Sequence, residues 1–257
     1  MQDFRGLDRG QWHQRYLAQS GWTEHVRKYL FEKINSHTDT RILEVGSGTG
    51  AIMGALHQEG YRRITGVDLD YPSIAYSKSQ APSCQHVLGD GHQLPFRTDA
   101  FEITVCHYLL MWTAHPTQIL AEMRRVTRPG GWVLSLAEPD HAARVDYPPP
   151  LDVLGQLQTQ ALHEQGADIS LGRKLRALFN QTGLQDVETG ILAAQWQQEH
   201  PLRDDNTEWL MLQADLGDRL SQNELAQFKQ QDTQARKAGT RVLFIPTFYA
   251  IGKVPLQ

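Results

Sequence analysis

Cysteine is scarce in this chain: Cys84 and Cys106 are its two cysteines among 257 residues, and they form no C-x-x-C spacing. That argues against a disulfide-stapled scaffold and a cysteine-built zinc site, and makes a reducing cytoplasm the expected setting. No apolar run approaches the roughly 18 residues that a membrane span requires. No basic, apolar and small-residue succession at the N-terminus reads as a signal peptide. Neither sign of charge dominates, since 25 Lys and Arg stand against 29 Asp and Glu for a net −4. Such a balance favours no polyanion, so no nucleic-acid partner is expected, and the pairs Arg62-Arg63 and Arg124-Arg125 read as solvated faces. Internal repeats and low-complexity tracts are also missing. With 40% hydrophobic residues the chain can bury a full core, and one α/β domain carrying insertions is the natural reading, as a monomer or homodimer.

The stretch Arg41-Ile42-Leu43-Glu44-Val45-Gly46-Ser47-Gly48-Thr49-Gly50 organises the rest. Ile42, Leu43 and Val45 are strand formers, and residues 51–56 have the apolar pattern of a helix packed on a sheet. Three glycines in five positions let the backbone take positive φ and approach a ligand at a helix N-terminus. Two ligand classes fit. Gly46, Gly48 and Ala51, with Asp68 as the ribose acid, satisfy the loose dinucleotide fingerprint of a nicotinamide oxidoreductase. Glu44 fits that reading poorly, because a carboxylate there repels a pyrophosphate. It suits a cationic ligand such as S-adenosyl-L-methionine, which carries a sulfonium and an ammonium.

Further chemistry follows in order. Residues 63–70 read as a second strand with Asp68 at its carboxyl end, where an acid accepts from ribose hydroxyls, while Asp70 suits a helix N-cap. Residues 84–88 form a third strand ending in Gly89-Asp90-Gly91-His92-Gln93-Leu94-Pro95-Phe96, which as a bare Gly-Asp-Gly is a turn. Residues 100–106 are a fourth strand leading into His107-Tyr108-Leu109-Leu110-Met111-Trp112. Pro116 opens a helix whose Ile119, Leu120, Met123 and Val126 form one stripe. Arg128-Pro129-Gly130-Gly131 stops it and turns into a fifth strand over 132–137.

Glu44 with the glycine turn, Asp68, Asp90 before the Leu-Pro-Phe run, and Met123-Arg124-Arg125-Val126 before Arg128-Pro129-Gly130-Gly131 together resemble the class I S-adenosylmethionine-dependent methyltransferases, in particular the small-molecule type found in quinone biosynthesis. The resemblance covers roughly residues 41–138. It implies a Rossmann-like, doubly wound seven-stranded α/β sheet with an antiparallel last strand and helical cap insertions. It also implies S-adenosyl-L-methionine as cofactor, with Glu44, Gly46, Ser47, Gly48, Asp68, Leu69, Asp90, Gly91 and His107 as the residues that bind it. The enzyme expected is a methyltransferase for a small-molecule acceptor. A nicotinamide oxidoreductase and a non-catalytic S-adenosylmethionine-binding protein are the alternatives.

Outside that region the reading rests on pattern. Residues 1–36 form a leader of two helices broken near Ser20-Gly21, acting as structure or lid, and 37–257 are the methyltransferase domain. Tyr147 and Pro148, Pro149 and Pro150 read as a stiff extended connector, 151–165 and 171–181 as helices, and 184–196 as a sixth strand. Helices over 203–217 and 221–236 precede a final strand at 242–251. Cap insertions thus fall at about 140–168 and 200–238.

In-line methyl transfer from a sulfonium asks the protein chiefly for positioning, and a base only if the acceptor must lose a proton. His107, just past the central strand, is the candidate base; a lone histidine is also commonly structural. His115 and His141 read as loop or helix-end residues. Tyr16, Trp112, Glu138 and Tyr147 are the substrate candidates, with core packing or solvation as the plainer account of each. The Cys106-His107-Tyr108-Leu109 run lacks the Asn/Asp-Pro-Pro-aromatic signature of base amino methyltransferases, and no Pro-Cys pair offers a cytosine-attacking thiolate. The fourth strand ends in no acid, so no catalytic metal is expected.

Overall fold

The computed structural model describes residues 7–192 and 205–256, and for 205–207 the backbone alone. Two leader helices, α1 (Arg9–Trp22) and α2 (Glu24–Lys33), come first. Asp8 and Gln11 form a reciprocal capping box at the start of α1. The break falls at Thr23 instead of Ser20-Gly21. The Thr23 hydroxyl turns back onto the Gln19 and Ser20 carbonyls, each at 3.2 Å, and Gly21 stays helical.

The sheet is built from β1 (Arg41–Val45), β2 (Arg63–Asp68), β3 (Gln85–Leu88), β4 (Phe101–Cys106) and β5 (Thr127–Pro139), linked by α3 (Ala51–Gln58), α4 (Tyr71–Gln80) and α5 (Pro116–Val126). Beyond β5 lie β6 (Val145–Tyr147), α6 (Leu151–Glu164), α7 (Leu171–Gln181), β7 (Gln185–Ile191), α8 (Asp205–Leu216), α9 (Gln222–Lys237), β8 (Val242–Phe244) and β9 (Thr247–Lys253). Seven strands run in the order β3-β2-β1-β4-β5-β9-β7. The pairs from β3 to β5 are parallel, and β9 runs antiparallel between β5 and β7. This is the doubly wound sheet with an antiparallel last strand that the resemblance implied.

Alternation along β1 explains the layers. Ile42 faces α2 and α3 with Leu30, Phe31, Ile52, Met53 and Leu56, whereas Leu43 and Val45 face α5 and α7 with Leu120, Met123, Leu175 and Phe179.

Three expectations are corrected. The fifth strand begins at Thr127, not residue 132, because Phe101 already pairs with Thr127 and a register shift before Ile103 absorbs the glycines. The final strand is two strands: Pro246, which has no N–H to give a ladder, divides β8 from β9, and β8 pairs with β6 in a separate two-stranded sheet. Pro148–Pro150 is a tight turn into α6, with Leu151 N–H donating to the Pro148 carbonyl at 2.9 Å. The expected strand beyond residue 192 and the helix start at 203 lie outside the described residues.

The stretches assigned to cap insertions pack together. Leu154 and Ala161 of α6 share a core with Trp209, Leu212 and Leu216 of α8 and Leu225 of α9. A buried ionic chain ties that core to the β6–β8 ribbon. Arg144 meets Asp146 at 2.5 Å, Arg241 meets Asp146 at 2.8 Å and Asp232 at 2.6 Å, and Arg236 meets Asp232 at 2.6 Å. Among the described residues no helix is long and apolar enough to cross a membrane.

Candidate functional site

The carboxyl ends of the parallel strands β1 to β5 lie along one edge of the sheet, and α1 reaches over the turn after β1. At the centre is the turn after β1, where Gly46, Gly48 and Gly50 have φ of 73°, 49° and 84°. Its backbone is pinned by Gly46 and Ser47 N–H donating to the Val67 carbonyl at 2.8 and 3.0 Å. The missing side chains matter here. A Cβ on Gly46 would lie 2.7 Å from Leu109 Cδ1, one on Gly48 would lie 3.5 Å from Tyr16 Cε2, and one on Gly50 would lie 2.4 Å from Ser77 Oγ. Tyr16 and Leu109 therefore roof the turn, and His13 joins them through a 2.9 Å contact with Thr49.

Acids gather beneath and beside it. Asp68 accepts from Gly48 N–H at 2.7 Å and from Asp70 N–H at 2.9 Å, and burial pushes its carboxyl above the usual range. Asp70 caps α4, accepting from Ser73 N–H at 2.9 Å. Glu44 is 2% exposed, below the turn instead of open to it. Desolvation, then Asp68, raises its carboxyl well above the ordinary value, against a Met53 backbone N–H at the start of α3. Its Oε2 and the Ser47 Oγ are buried without a hydrogen-bond partner among the described residues. Two neighbouring acids whose anions burial disfavours, together with orphaned oxygens, make this a place where a cation or a hydroxyl donor is stabilised.

Asp90 is solvent-accessible beyond β3. It accepts from His92 N–H at 2.9 Å and meets His92 Nδ1 at 2.8 Å, contacts that hold its carboxyl below the usual range, and His92 Nε2 reaches Thr113 at 2.7 Å. Gly91 packs toward Val45, where a Cβ would come to 3.1 Å. Leu69, 70% exposed, stands at the end of β2 as an uncovered apolar wall.

The segment after β4 is set by a carboxylate the sequence offered as a substrate contact. Glu138 is fully buried and accepts N–H bonds from Leu109, Leu110 and Met111 at 3.0, 2.7 and 3.2 Å. Desolvation outweighs those bonds and raises its carboxyl to about 7. Tyr108 takes φ of 51° to make that turn. His107 Nε2 lies 3.1 Å from the Thr23 hydroxyl, and burial, then Arg27, lowers its pKa to about 3. A ring so hard to protonate is a weak proton acceptor at neutral pH; its contact docks the leader. Trp112 packs against the core on the α5 and α7 side. Tyr147, 53% exposed, gives its carbonyl to Arg241 at 3.2 Å and stands on the ribbon.

Sequence reasoning missed His13, Thr23, Leu109 and His92. The Gly-Asp-Gly-His turn carried a signal for His92, since Asp side chains bond to the backbone two residues on. The others touch the site only through tertiary packing.

A parallel sheet with acids at the strand ends and a glycine turn at the switch point is the arrangement in which open α/β sheets hold nucleotide-type ligands. Residues 43–135 match the family model described as a methyltransferase domain. An uncharacterized methyltransferase of Schizosaccharomyces pombe is 32% identical over 177 residues, covering 63% of each chain. A demethylmenaquinone methyltransferase of Renibacterium salmoninarum is 29% identical over 47% of this chain and 50% of its own. A solved complex of the Haloferax volcanii Trm112 methyltransferase activator with its putative methyltransferase matches 96% of this chain and 95% of its own, at TM-score 0.58 and 17% identity, a likeness of fold. The chain spans 40–46% of the first curated relatives it matches. Over residues 43–135 the chain is thus similar to the class I S-adenosylmethionine-dependent methyltransferases, and these likenesses support a protein of that kind.

Proposed function

We propose that this protein moves a methyl group from S-adenosyl-L-methionine to a small-molecule acceptor. The observation that carries the reading is the turn itself: Asp68 bonded to Gly48 N–H beside the unpartnered Ser47 Oγ and Glu44 Oε2. These groups suit an adenosyl sulfonium. Asp68 is placed to accept from ribose hydroxyls, Asp90 from an exocyclic amine, and no Lys or Arg of the turn offers a phosphate cradle. The cofactor, when bound, supplies an electrophilic methyl on a positively charged sulfur.

The chain's own part is positional. Backbone at Gly46 to Gly50 and the Glu138-held turn at 109–111 fix the two walls between which an acceptor and the sulfonium line up. Such alignment supplies about 7–11 kcal/mol of a displacement barrier. His107, neutral and engaged by Thr23, takes no proton in this scheme. Tyr16 and His13 cover the turn from α1 and exclude water from it. Cys84 and Cys106, both free, fit operation in a reducing cytoplasm.

Isothermal calorimetry with S-adenosylhomocysteine tests the reading, with micromolar binding as the expected result. Absence of binding by folded protein, or fluorescence enhancement of a reduced nicotinamide in its place, overturns it.

A further inference from the structure

Two faces of α1 look toward the site. His13 and Tyr16 face the glycine turn, while Trp12, Arg15 and Trp22 recur at helical spacing on the neighbouring face, beside Thr23 and its contact with His107. Arg15 is half-buried, its guanidinium carbon 4.7 Å from the centroid of the Trp22 ring. Among the described residues no carboxylate pairs with it. Two acids of α8, which packs against α1, are engaged by other groups: Glu208 with Arg236 at 3.6 Å, and Asp215 with the Gln158 and Gln165 amides at 3.1 and 3.2 Å. Tyr108, Glu208 and Asp215 act on Arg15 only at longer range, and burial lowers its pKa.

A half-buried guanidinium that stacks on an aromatic ring and has no carboxylate partner among the described residues is a ready seat for an anion. Nearby, the Nδ1 of His141 is buried with no hydrogen-bond partner among the described residues. Burial lowers this ring's pKa to about 4, so it is neutral and presents either a donor or an acceptor.

We propose that Arg15 seats the acidic group of the methyl acceptor, so that the acceptor is a small molecule bearing a carboxylate, held between α1, α8 and the ends of β4 and β5. This rests on the methyl-transfer reading above and adds the chemical class of its substrate. A carboxylate matches the planar fork of a single guanidinium. A phosphate dianion fits less well, because Glu208 and Asp215 already place negative charge on the α8 side. The Trp22 ring, 41% exposed, flanks the guanidinium with a flat apolar wall, and His141 Nδ1 is the further polar contact on offer.

The test uses the full chain, tritium-labelled S-adenosylmethionine and a metabolite extract split on a strong anion exchanger at neutral pH into retained and flow-through fractions. Labelled product is expected from the retained fraction. Arg15→Met should raise KM for that fraction by about tenfold or more while S-adenosylhomocysteine affinity stays within about twofold, and Arg15→Lys should recover part of the loss. Circular dichroism confirms that both variants fold. Labelling confined to the flow-through, or an Arg15→Met KM within about twofold of wild type, overturns the proposal while methyl transfer stands. Labelling from neither fraction, with no binding of S-adenosylhomocysteine, overturns the methyl-transfer reading itself and this one with it.

Discussion

Replacing Glu138 by glutamine separates the charge of this side chain from its shape. In the native protein it is fully buried under the Leu109, Leu110 and Met111 amides, and its carboxyl titrates near 7 in place of its ordinary 4.5. Below the ordinary value both folded and unfolded chains hold the proton, and ionisation costs nothing. As pH rises through that value the unfolded chain releases its proton while the native one keeps it, and stability falls. Above about 7 both are ionised, and the native state has lost up to about 3 kcal/mol relative to acid conditions. Glutamine does not titrate. Its carbonyl can serve the Leu109 and Leu110 amides, but its NH2 opposes the Met111 N–H, a mismatch worth about 1–3 kcal/mol. The variant should therefore be the less stable protein near pH 5, and the gap should close or reverse by about pH 8. Urea unfolding followed by circular dichroism and tryptophan fluorescence across that range measures it. A gap constant to within about 0.5 kcal/mol refutes the buried ionisation.

Asp68→Ala removes the acceptor of Gly48 N–H as well as the proposed ribose contact, and should weaken S-adenosylhomocysteine binding by about 1.5–3 kcal/mol in a folded protein. A calorimetric loss under about threefold would count against the ribose role. Gly48→Val sets a β-branched side chain at φ of 49° against Tyr16 and should abolish that binding; a folded variant with normal affinity rules out a close approach at Gly48. Arg241→Met strips Asp146 and Asp232 of a shared partner in a buried chain of charges, with an expected cost of about 3–5 kcal/mol concentrated in α9 and the β6–β8 ribbon. Faster amide exchange in α9 with the sheet unchanged is the signature, and an unaltered α9 disproves the tie. With S-adenosylhomocysteine and acceptor bound, exchange should slow in α1, α2, α8 and α9 and change little in the strands, as a lid requires; uniform protection means a static cap.

Local chemistry determined much of this protein. The run Ile42, Leu43, Val45 before three glycines could only be a buried strand entering a positive-φ turn, and Asp70, Pro116 and the Ser221-x-x-Glu224 box each carried their helix starts in their own side chains. The ordered motifs from Glu44 to Gly131 were legible because each answers to its neighbours along the chain. What tertiary structure decided was everything that depends on partners distant in sequence. Glu44 faces α3 instead of open cleft because strand alternation puts it on the side of Ile42. Glu138 is consumed by the amides of residues 109–111, and His107 by Thr23 of the leader, 84 positions away. Helix α6 and the α8–α9 pair became one body because neither can bury its apolar face alone, and no periodicity within either names the other as the surface that will cover it.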